Sequence, residues 1–178
     1  ETRFSSNFDG RWNYTVGIFY GDSEFIRGYP PALQPGVNDA LNDFIGAPAN
    51  IVPGDLIYIT TQPEQVEKLV AATVAQFGRL DVLVNNAGGA MFVKPPEKLR
   101  PEQWRAAIDL NLNSVFYCSA AAGQQMISQN GGRIINISSV AGIKNSPAFI
   151  QYGAAKAGVI NLTKSMAACW GKHNINVN

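Results

Sequence analysis

A regular alternation of short apolar segments and long amphipathic segments, which begins near residue 55, is the feature that most constrains the fold. Candidate strands lie at residues 55–60, 80–84, 133–137 and 175–177, and candidate helices lie between them at residues 63–78, 101–125 and 152–170. Strands that alternate with helices of about ten or more residues indicate βαβ units and a parallel sheet. Because the strands are apolar almost throughout, we expect helices on both faces of the sheet. The sequence therefore predicts an α/β fold built on a doubly wound parallel sheet.

Residues 1–50 differ in composition from the rest of the chain. They contain half of the aromatic residues, and two pairs, Pro30-Pro31 and Pro35-Gly36, interrupt any long element. Residues 12–20 form a candidate strand and residues 38–45 a candidate short helix. We predict an atypical segment over residues 1–50, which could replace the first βαβ unit, and a regular core over residues 51–178. The chain begins without Met and stops abruptly, so we expect the sheet to be incomplete at both ends.

Charge and composition argue against several classes of function. The formal net charge is +1 and no run of Lys or Arg occurs, so we expect no nucleic-acid partner. No apolar stretch approaches the ~18 residues that a membrane span needs, so we expect no membrane association. Cys118 and Cys169 lie in apolar, helix-like segments, which favours a reducing compartment and predicts a cytoplasmic location. His173 is the only histidine, so we expect neither a metal site nor a Ser-His-Asp triad.

The residues that follow each strand are the candidates for chemistry, because ligands of parallel α/β sheets bind beyond the carboxyl ends of the strands. Residues 85–89 follow one strand, and their small side chains would let a ligand approach the backbone. Asn and Gly are also common turn formers, so a simple turn is an alternative. Ser138 and Ser139 follow the next strand. A hydroxyl there could polarise a bound carbonyl or could equally cap a turn.

Tyr152 and Lys156 are four residues apart at the start of a candidate helix, which places both side chains on one face. A tyrosine hydroxyl titrates near 10 in water. An ammonium close by favours the phenolate, so such a pair makes chemical sense as an acid/base. The same spacing arises by chance in roughly a quarter of comparable chains, so the pair alone is weak support. Its coincidence with Ser139 and residues 85–88 at one end of one sheet is much stronger support.

These segments together resemble the motifs of the short-chain dehydrogenase/reductase family. Residues 85–88, Asn-Asn-Ala-Gly, are similar to the family's strand end, and residues 152–156 are similar to its Tyr-x-x-x-Lys signature. Further similar segments lie at residues 109–113, 132–142 and 173–178. The resemblance covers about residues 55–178 and implies a Rossmann-like form of the predicted doubly wound sheet.

The resemblance implies an NAD(P)-dependent oxidoreductase that interconverts a carbonyl and an alcohol by hydride transfer. Tyr152 would exchange a proton with the substrate oxygen, and Lys156 would assist it and bind the nicotinamide ribose. Ser139 would polarise the carbonyl and steady the developing oxyanion. Asn111 would hold a water that links Lys156 to solvent. The implied catalytic residues are therefore Asn111, Ser139, Tyr152 and Lys156.

The resemblance also implies the ligands and the assembly. The cofactor would be NAD or NADP, and the substrate would be a small carbonyl or alcohol. The cofactor site would be lined by Asn86, Ala87, Gly88, Tyr152 and Lys156. By analogy with the family, we expect a homo-oligomer, either a dimer or a tetramer.

The chain departs from the family pattern in its N-terminal part. The family opens with a strand and a Thr-Gly-x-x-x-Gly-x-Gly turn, which brings a helix N-terminus to the cofactor pyrophosphate. The nearest segment here has Gly17 and Gly21 at the required spacing, but Ser23 stands in place of the third glycine. An alternative hypothesis therefore stays open: a catalytically silent remnant of the family, or an oligomerising interaction module that binds no cofactor.

Overall fold

The structure is a computed structural model, and it describes residues 62–178 together with the backbone of residues 15–18. Its main elements in chain order are strand β1 (Thr15–Ile18), helix α1 (Pro63–Phe77), strand β2 (Val82–Asn85), helix α2 (Pro101–Ile108), helix α3 (Ser114–Ser128), strand β3 (Gly132–Asn136), helix α4 (Ile150–Trp170) and strand β4 (Ile175–Val177). Single 3₁₀ turns lie at Pro96–Lys98, Val140–Gly142 and Gly171–His173. A π-helical segment, Asp109–Asn113, joins α2 to α3.

The four strands form one parallel sheet in the order β1-β2-β3-β4. Leu83 of β2 lies opposite Ile134 of β3, which in turn lies opposite Val177 of β4. This arrangement confirms the predicted α/β class and its parallel strands. The candidate strand at residues 12–20 is present over residues 15–18, and it pairs with β2. The candidate helix at residues 38–45 and the candidate strand at residues 55–60 lie outside the described residues.

The core lies between one face of this sheet and the helices. Along the strands, side chains buried in this core alternate with more exposed side chains, because successive residues of a strand point to opposite faces. The buried cluster combines residues of α1, α3, α4 and three strands with Leu80, which lies just before β2: Val66, Leu80, Leu83, Cys118, Ala122, Met126, Ile134, Met166, Ile175 and Val177. Within the described residues, the three long helices therefore cover the same face. Ile135 and Ile137 point the other way and are 39% and 41% exposed.

Helix α1 has the boundaries that its sequence indicates. It begins at Pro63, whose missing N–H is not needed in the first turn. It ends at Phe77, where Gly78 adopts the left-handed conformation with φ +80° and donates its N–H to the carbonyl of Val74. The predicted helix at residues 63–78 therefore matches the structure. None of the helices in residues 62–178 is long and apolar enough to cross a bilayer.

The candidate helix at residues 101–125 differs from the structure, because a π-helical segment interrupts it. The side chain of Asn111 donates a hydrogen bond of 2.9 Å to the carbonyl of Ala107, four residues earlier. The hydroxyl of Ser114 makes the equivalent bond to the carbonyl of Leu110. Such side-chain bonds compete with the regular helical ladder. The helical path nevertheless continues to Ser128, three residues beyond the predicted end at residue 125.

The two cysteines have different surroundings. Cys118 is 3% exposed within the core, and burial raises the pKa of its thiol to about 12. Cys169 is exposed near the end of α4. Both thiols are free, as expected for a chain without a disulfide framework.

A chain of polar side chains crosses the sheet at the carboxyl ends of β2 and β3. Asn85 donates to the carbonyl oxygen of the Asn136 side chain at 2.8 Å and to the hydroxyl of Ser119 at 2.9 Å. Asn136 donates in turn to the hydroxyl of Thr163 at 2.9 Å. These bonds connect α3, β2, β3 and α4. They fix the two strand ends relative to the helices that carry the candidate site residues.

We expect Asn136→Ala to lower the free energy of unfolding by about 1–3 kcal/mol, because it leaves partners of Asn136 unpaired in a partly buried position. Urea unfolding followed by circular dichroism measures this loss. The matched control is Asn176→Ala, an exposed position on β4 that should change stability by less than about 0.5 kcal/mol. Equal losses in the two variants would contradict a structural role for this polar chain.

Candidate active site

The candidate site lies at the carboxyl edge of the sheet, where residues 86–89 follow β2 and residues 137–139 follow β3. The strands are parallel and in register, with Asn85 opposite Asn136, so both segments leave the sheet at the same level. Helix α4 packs against this edge. Of the sequence-predicted site residues, the structure brings Gly88, Asn111 and Lys156 into direct proximity.

Asn111 is fully buried and is bonded to the backbone of Gly89 in both directions. Its carbonyl oxygen Oδ1 accepts from the Gly89 N–H at 2.9 Å, and its Nδ2 donates to the Gly89 carbonyl at 3.1 Å. The second N–H of Nδ2 serves the Ala107 bond described above. The π-helical segment between α2 and α3 sets the position of Asn111. Through the bonds of Asn111, this segment holds the loop that follows β2 in place.

Gly88 is the point where the loop, Asn111 and Lys156 meet. Its φ is +155°, outside the range that side-chain-bearing residues favour. A Cβ at this position would lie 2.6 Å from Oδ1 of Asn111 and 3.3 Å from Nζ of Lys156. A glycine is therefore required both by the backbone and by the space.

Lys156 carries a buried ammonium at this junction. The residue is 3% exposed, and its Nζ donates a 2.7 Å hydrogen bond to the carbonyl of Ile137, just beyond β3. Desolvation on burial lowers the pKa of Lys156 below its ordinary value of 10.5. An ammonium has three donors, so donors beyond the one bound to Ile137 are available to other acceptors.

Tyr152 lies one helical turn before Lys156, as the four-residue spacing predicts. The Lys156 Nζ is 5.7 Å from the centre of the Tyr152 ring. The tyrosine is half-buried, whereas Lys156 is 3% exposed. The two side chains therefore share one face of α4 at the carboxyl edge.

Ser139 begins the 3₁₀ turn Val140–Gly142, and its Oγ accepts a 3.2 Å hydrogen bond from the N–H of Ala141. The turn-capping alternative raised by the sequence is therefore present. This bond uses only an acceptor site, so the hydroxyl proton remains available to donate. The turn packs directly on α4, since a Cβ on Gly142 would lie 2.7 Å from the backbone of Lys156.

The other predicted cofactor-lining residues lie on the loop between β2 and Gly89. Ala87 is 8% exposed and Asn86 is half-buried. No bond between these two side chains and Tyr152 or Lys156 is present in the described residues. Gly17, a candidate for the phosphate turn, lies within β1 opposite Val84. Gly21 and Ser23 lie outside the described residues.

One polar residue of this region, Gln151, was missed by the sequence analysis, and Ser138 was raised there only as one of two strand-end hydroxyls. Ser138 donates a 2.9 Å hydrogen bond from its hydroxyl to the carbonyl of Lys156. Gln151 is fully buried and donates to the carbonyl of Phe92 at 2.6 Å. Both side chains make contacts between residues far apart in sequence, so spacing gives no signal for them. No group of three metal-ligating side chains occurs in the part of the chain that the structure describes.

Comparison with known proteins agrees with this arrangement. A family model described as short chain dehydrogenase matches residues 38–178. The match begins before residue 55, where the recognisable motifs begin. Because it covers most of the sequence, the chain belongs to the short-chain dehydrogenase/reductase family, and so to a family of oxidoreductases.

Named proteins from other organisms are similar to this chain over much of its length. The chain is 43% identical over 118 residues to a 3-oxoacyl-[acyl-carrier-protein] reductase of Synechocystis sp., covering 65% of this chain and 46% of the relative. It is 39% identical over 136 residues to the corresponding reductase of Thermotoga maritima, covering 75% and 53%. The chain therefore spans about half the length of these relatives.

Solved structures show the same fold. An NAD⁺-bound xylitol dehydrogenase superposes with a TM-score of 0.66 at 35% identity, over 67% of this chain and 46% of that one. Carveol dehydrogenase from Mycobacterium avium, solved in complex with NAD, superposes with a TM-score of 0.65 at 38% identity, over 67% and 43%. The Rossmann-like fold class is therefore confirmed.

We expect Gly88→Ala to lower the free energy of unfolding more than Gly78→Ala does. Both glycines have positive φ, so each substitution introduces backbone strain of about 1–3 kcal/mol. A Cβ at position 78 meets nothing within 4 Å, whereas one at position 88 collides with Asn111. Urea unfolding of the two variants isolates the collision, and an equal loss would contradict the close packing at Gly88.

Proposed function

We propose that this chain carries the proton-transfer residues of an NAD(P)-dependent oxidoreductase that interconverts a carbonyl and an alcohol by hydride transfer. The observation that carries the proposal is the buried ammonium of Lys156, which lies beneath the half-buried ring of Tyr152 and beside Gly88 and Asn111. A structural lysine is normally exposed, and burial of its ammonium is unfavourable unless it is bonded. The arrangement therefore points to chemistry rather than to stability.

The residues present fit a nicotinamide nucleotide. Lys156 has donors left for ribose hydroxyls after its bond to Ile137. The loop formed by Asn86, Ala87 and Gly88 brings backbone without bulky side chains close to this ammonium, since the Gly88 position lies within van der Waals distance of the Lys156 Nζ. The cofactor, NAD or NADP, would supply the hydride in reduction and accept it in oxidation.

Tyr152 is the proposed proton donor and acceptor. In reduction its hydroxyl gives a proton to the substrate oxygen, and in oxidation the phenolate takes the proton back. The ammonium of Lys156 lies 5.7 Å from the ring and stabilises the phenolate that forms when the proton leaves. Lys156 has a further proposed role in binding the nicotinamide ribose.

Ser139 is the proposed oxyanion donor. Its Oγ accepts from Ala141, which orients the hydroxyl and leaves the proton free to donate to a substrate oxygen. The turn that Ser139 begins packs on α4 beside Lys156. A fixed donor of this kind stabilises negative charge on the carbonyl oxygen without reorganisation during the reaction.

Asn111 is proposed to position the site and a water. Both N–H groups of its side chain are bonded to backbone carbonyls, and Oδ1 accepts from Gly89. One lone pair of Oδ1 is left, so a water held by Asn111 would donate to that oxygen. Since Oδ1 lies near Gly88 and Lys156, such a water could connect the ammonium to solvent.

We also propose a small carbonyl or alcohol substrate and a homo-oligomer, either a dimer or a tetramer. The relatives named as 3-oxoacyl-[acyl-carrier-protein] reductases make a 3-oxoacyl thioester a reasonable test substrate. Trp104 and Phe116, on the helices that flank the π segment, are 39% and 48% exposed. Aromatic side chains of this exposure are typical of surfaces that a second subunit covers.

We expect Tyr152→Phe to lower the rate of carbonyl reduction by about 10²–10⁴-fold, because the variant has no proton to give. The assay follows the loss of reduced nicotinamide absorbance with acetoacetyl-coenzyme A as substrate. Tyr117→Phe is the matched control, since Tyr117 lies on α3 and packs against the hydrophobic core. Unchanged turnover in Tyr152→Phe would refute the assignment.

A fluorescence titration with reduced cofactor accompanies this assay. It measures cofactor binding and so distinguishes the proposed oxidoreductase from the alternative of a chain that binds no cofactor. Both variants should bind the cofactor saturably, because neither change removes Lys156 or Gly88. A catalytically silent remnant or interaction module would show no binding even at roughly millimolar cofactor, the upper end of the typical KM range of about 1 μM–1 mM. That outcome would contradict the proposed function for this chain.

We expect the rate of carbonyl reduction to fall as pH rises through a range below 10.5, because burial lowers the pKa of Lys156 from that value. The reactive form is the ammonium, which is lost as pH rises. The contribution of the same group to stability has the opposite sign: the unfolded chain binds the proton more tightly, so stability rises with pH in this window. Measuring kcat/KM and urea unfolding over the same pH range separates the two effects, and activity that is constant up to 10.5 would contradict the role of Lys156.

A further inference from the structure

The loop that follows β2, residues 86–95, is attached to the helices at two points. Asn111 holds its near end through the paired bonds to Gly89. Gln151 holds its far end, because Nε2 of this residue donates a 2.6 Å hydrogen bond to the carbonyl of Phe92. Only Ala90 and Met91 lie between the two attachment points. The path of the loop past the candidate site is therefore set by two side-chain amides.

Gln151 is an unusual residue for its surroundings. It is 0% exposed, and its carbonyl oxygen Oε1 is buried without a hydrogen-bond partner. A buried acceptor without a partner costs about 1–3 kcal/mol. Methionine has nearly the same length and shape and would carry no such penalty. Compared with methionine, the glutamine lowers the free energy of unfolding through its unpaired oxygen. What it adds is the hydrogen bond to the carbonyl of Phe92.

Gln151 directly precedes Tyr152 on the first turn of α4. A displacement of this turn would move Tyr152, the proposed proton donor. A displacement of loop 86–95 would move the side of the site that this loop forms. The bond from Gln151 to Phe92 joins the two. It therefore links the position of the loop to the position of the tyrosine.

We propose that Gln151 is a positioning residue, which holds the loop 86–95 against the first turn of α4 and so sets the substrate-facing wall of the site. The residues on either side of the held carbonyl are Met91 and Val93, which are apolar and 39% and 69% exposed. Exposed apolar side chains at the carboxyl edge of the sheet suit an apolar part of a substrate. Fixing the backbone at Phe92 fixes the direction of both.

The inference rests on the proposed function for its effect on substrate, but the attachment itself can be tested without catalysis. Gln151→Met removes the hydrogen bond and keeps the size of the side chain, and Gln151→Asn keeps an amide that is too short to reach Phe92. Limited chymotrypsin digestion, with mass-spectrometric measurement of the cut after Phe92, reports how often the loop opens. Loss of one hydrogen bond of about 1.4 kcal/mol should raise this cleavage rate about tenfold in either variant. The matched control is Gln124→Met, an exposed glutamine on α3 that should leave the rate unchanged.

Kinetics with acetoacetyl-coenzyme A separate positioning from general stability. The variants should raise KM about tenfold and leave kcat within about threefold, because Tyr152, Lys156 and Ser139 keep their contacts. Cleavage after Phe92 at the original rate in both variants would overturn the attachment. A fall in kcat without a rise in KM would overturn the role in the substrate wall. Absence of turnover in the unchanged protein would count against the proposed function and against that wall, while the cleavage rates would still decide whether Gln151 holds the loop.

Discussion

The paired hydrogen bonds between Asn111 and the backbone of Gly89 are the interaction on which the rest of the site depends. They join the π-helical segment between α2 and α3 to the loop that leaves β2. They also place Oδ1 of Asn111 so close to position 88 that only a glycine fits there. Lys156 then fills the remaining space, with its ammonium bonded to the carbonyl of Ile137. A backbone loop, a π-helical segment and a long helix thus meet around one amide group.

A group of polar side chains at the carboxyl edge of the sheet complements the apolar core. The core under the sheet consists of aliphatic residues, methionine and Cys118, which pack through non-directional contacts. At the carboxyl edge, Asn85, Asn136 and Thr163 instead form directional bonds across strands and helices. Hydrogen bonds lose strength steeply when their geometry is wrong. The edge that carries the proposed chemistry is therefore held by directional bonds, which the non-directional packing of the core does not supply.

Much of the fold could be predicted from the sequence, because it depends on local patterns. The helix that Pro63 begins follows from hydrophobic periodicity and from the proline and glycine at its ends. The strand predicted at residues 80–84 from its apolar run is present at Val82–Asn85. The shared face of Tyr152 and Lys156 follows from helical spacing. The π-helical turn at Asn111 and the bond from Gln151 to Phe92 could not be predicted in this way, because each depends on a partner that only the folded chain brings near. The roles of Asn111, Ser139, Tyr152 and Lys156 stay predictions, since geometry places a group but does not show turnover.

The contrast between the two thiols has a practical consequence for work in solution. With a pKa of about 12 and a place inside the core, Cys118 has almost no thiolate at neutral pH and no access for a reagent. Cys169 is exposed near the end of the helix whose first turn carries Tyr152. A maleimide dye or spin label would therefore attach at a single known position, roughly 25 Å along the helix from the proposed proton donor at 1.5 Å per residue. The native sequence thus supplies its own spectroscopic reporter.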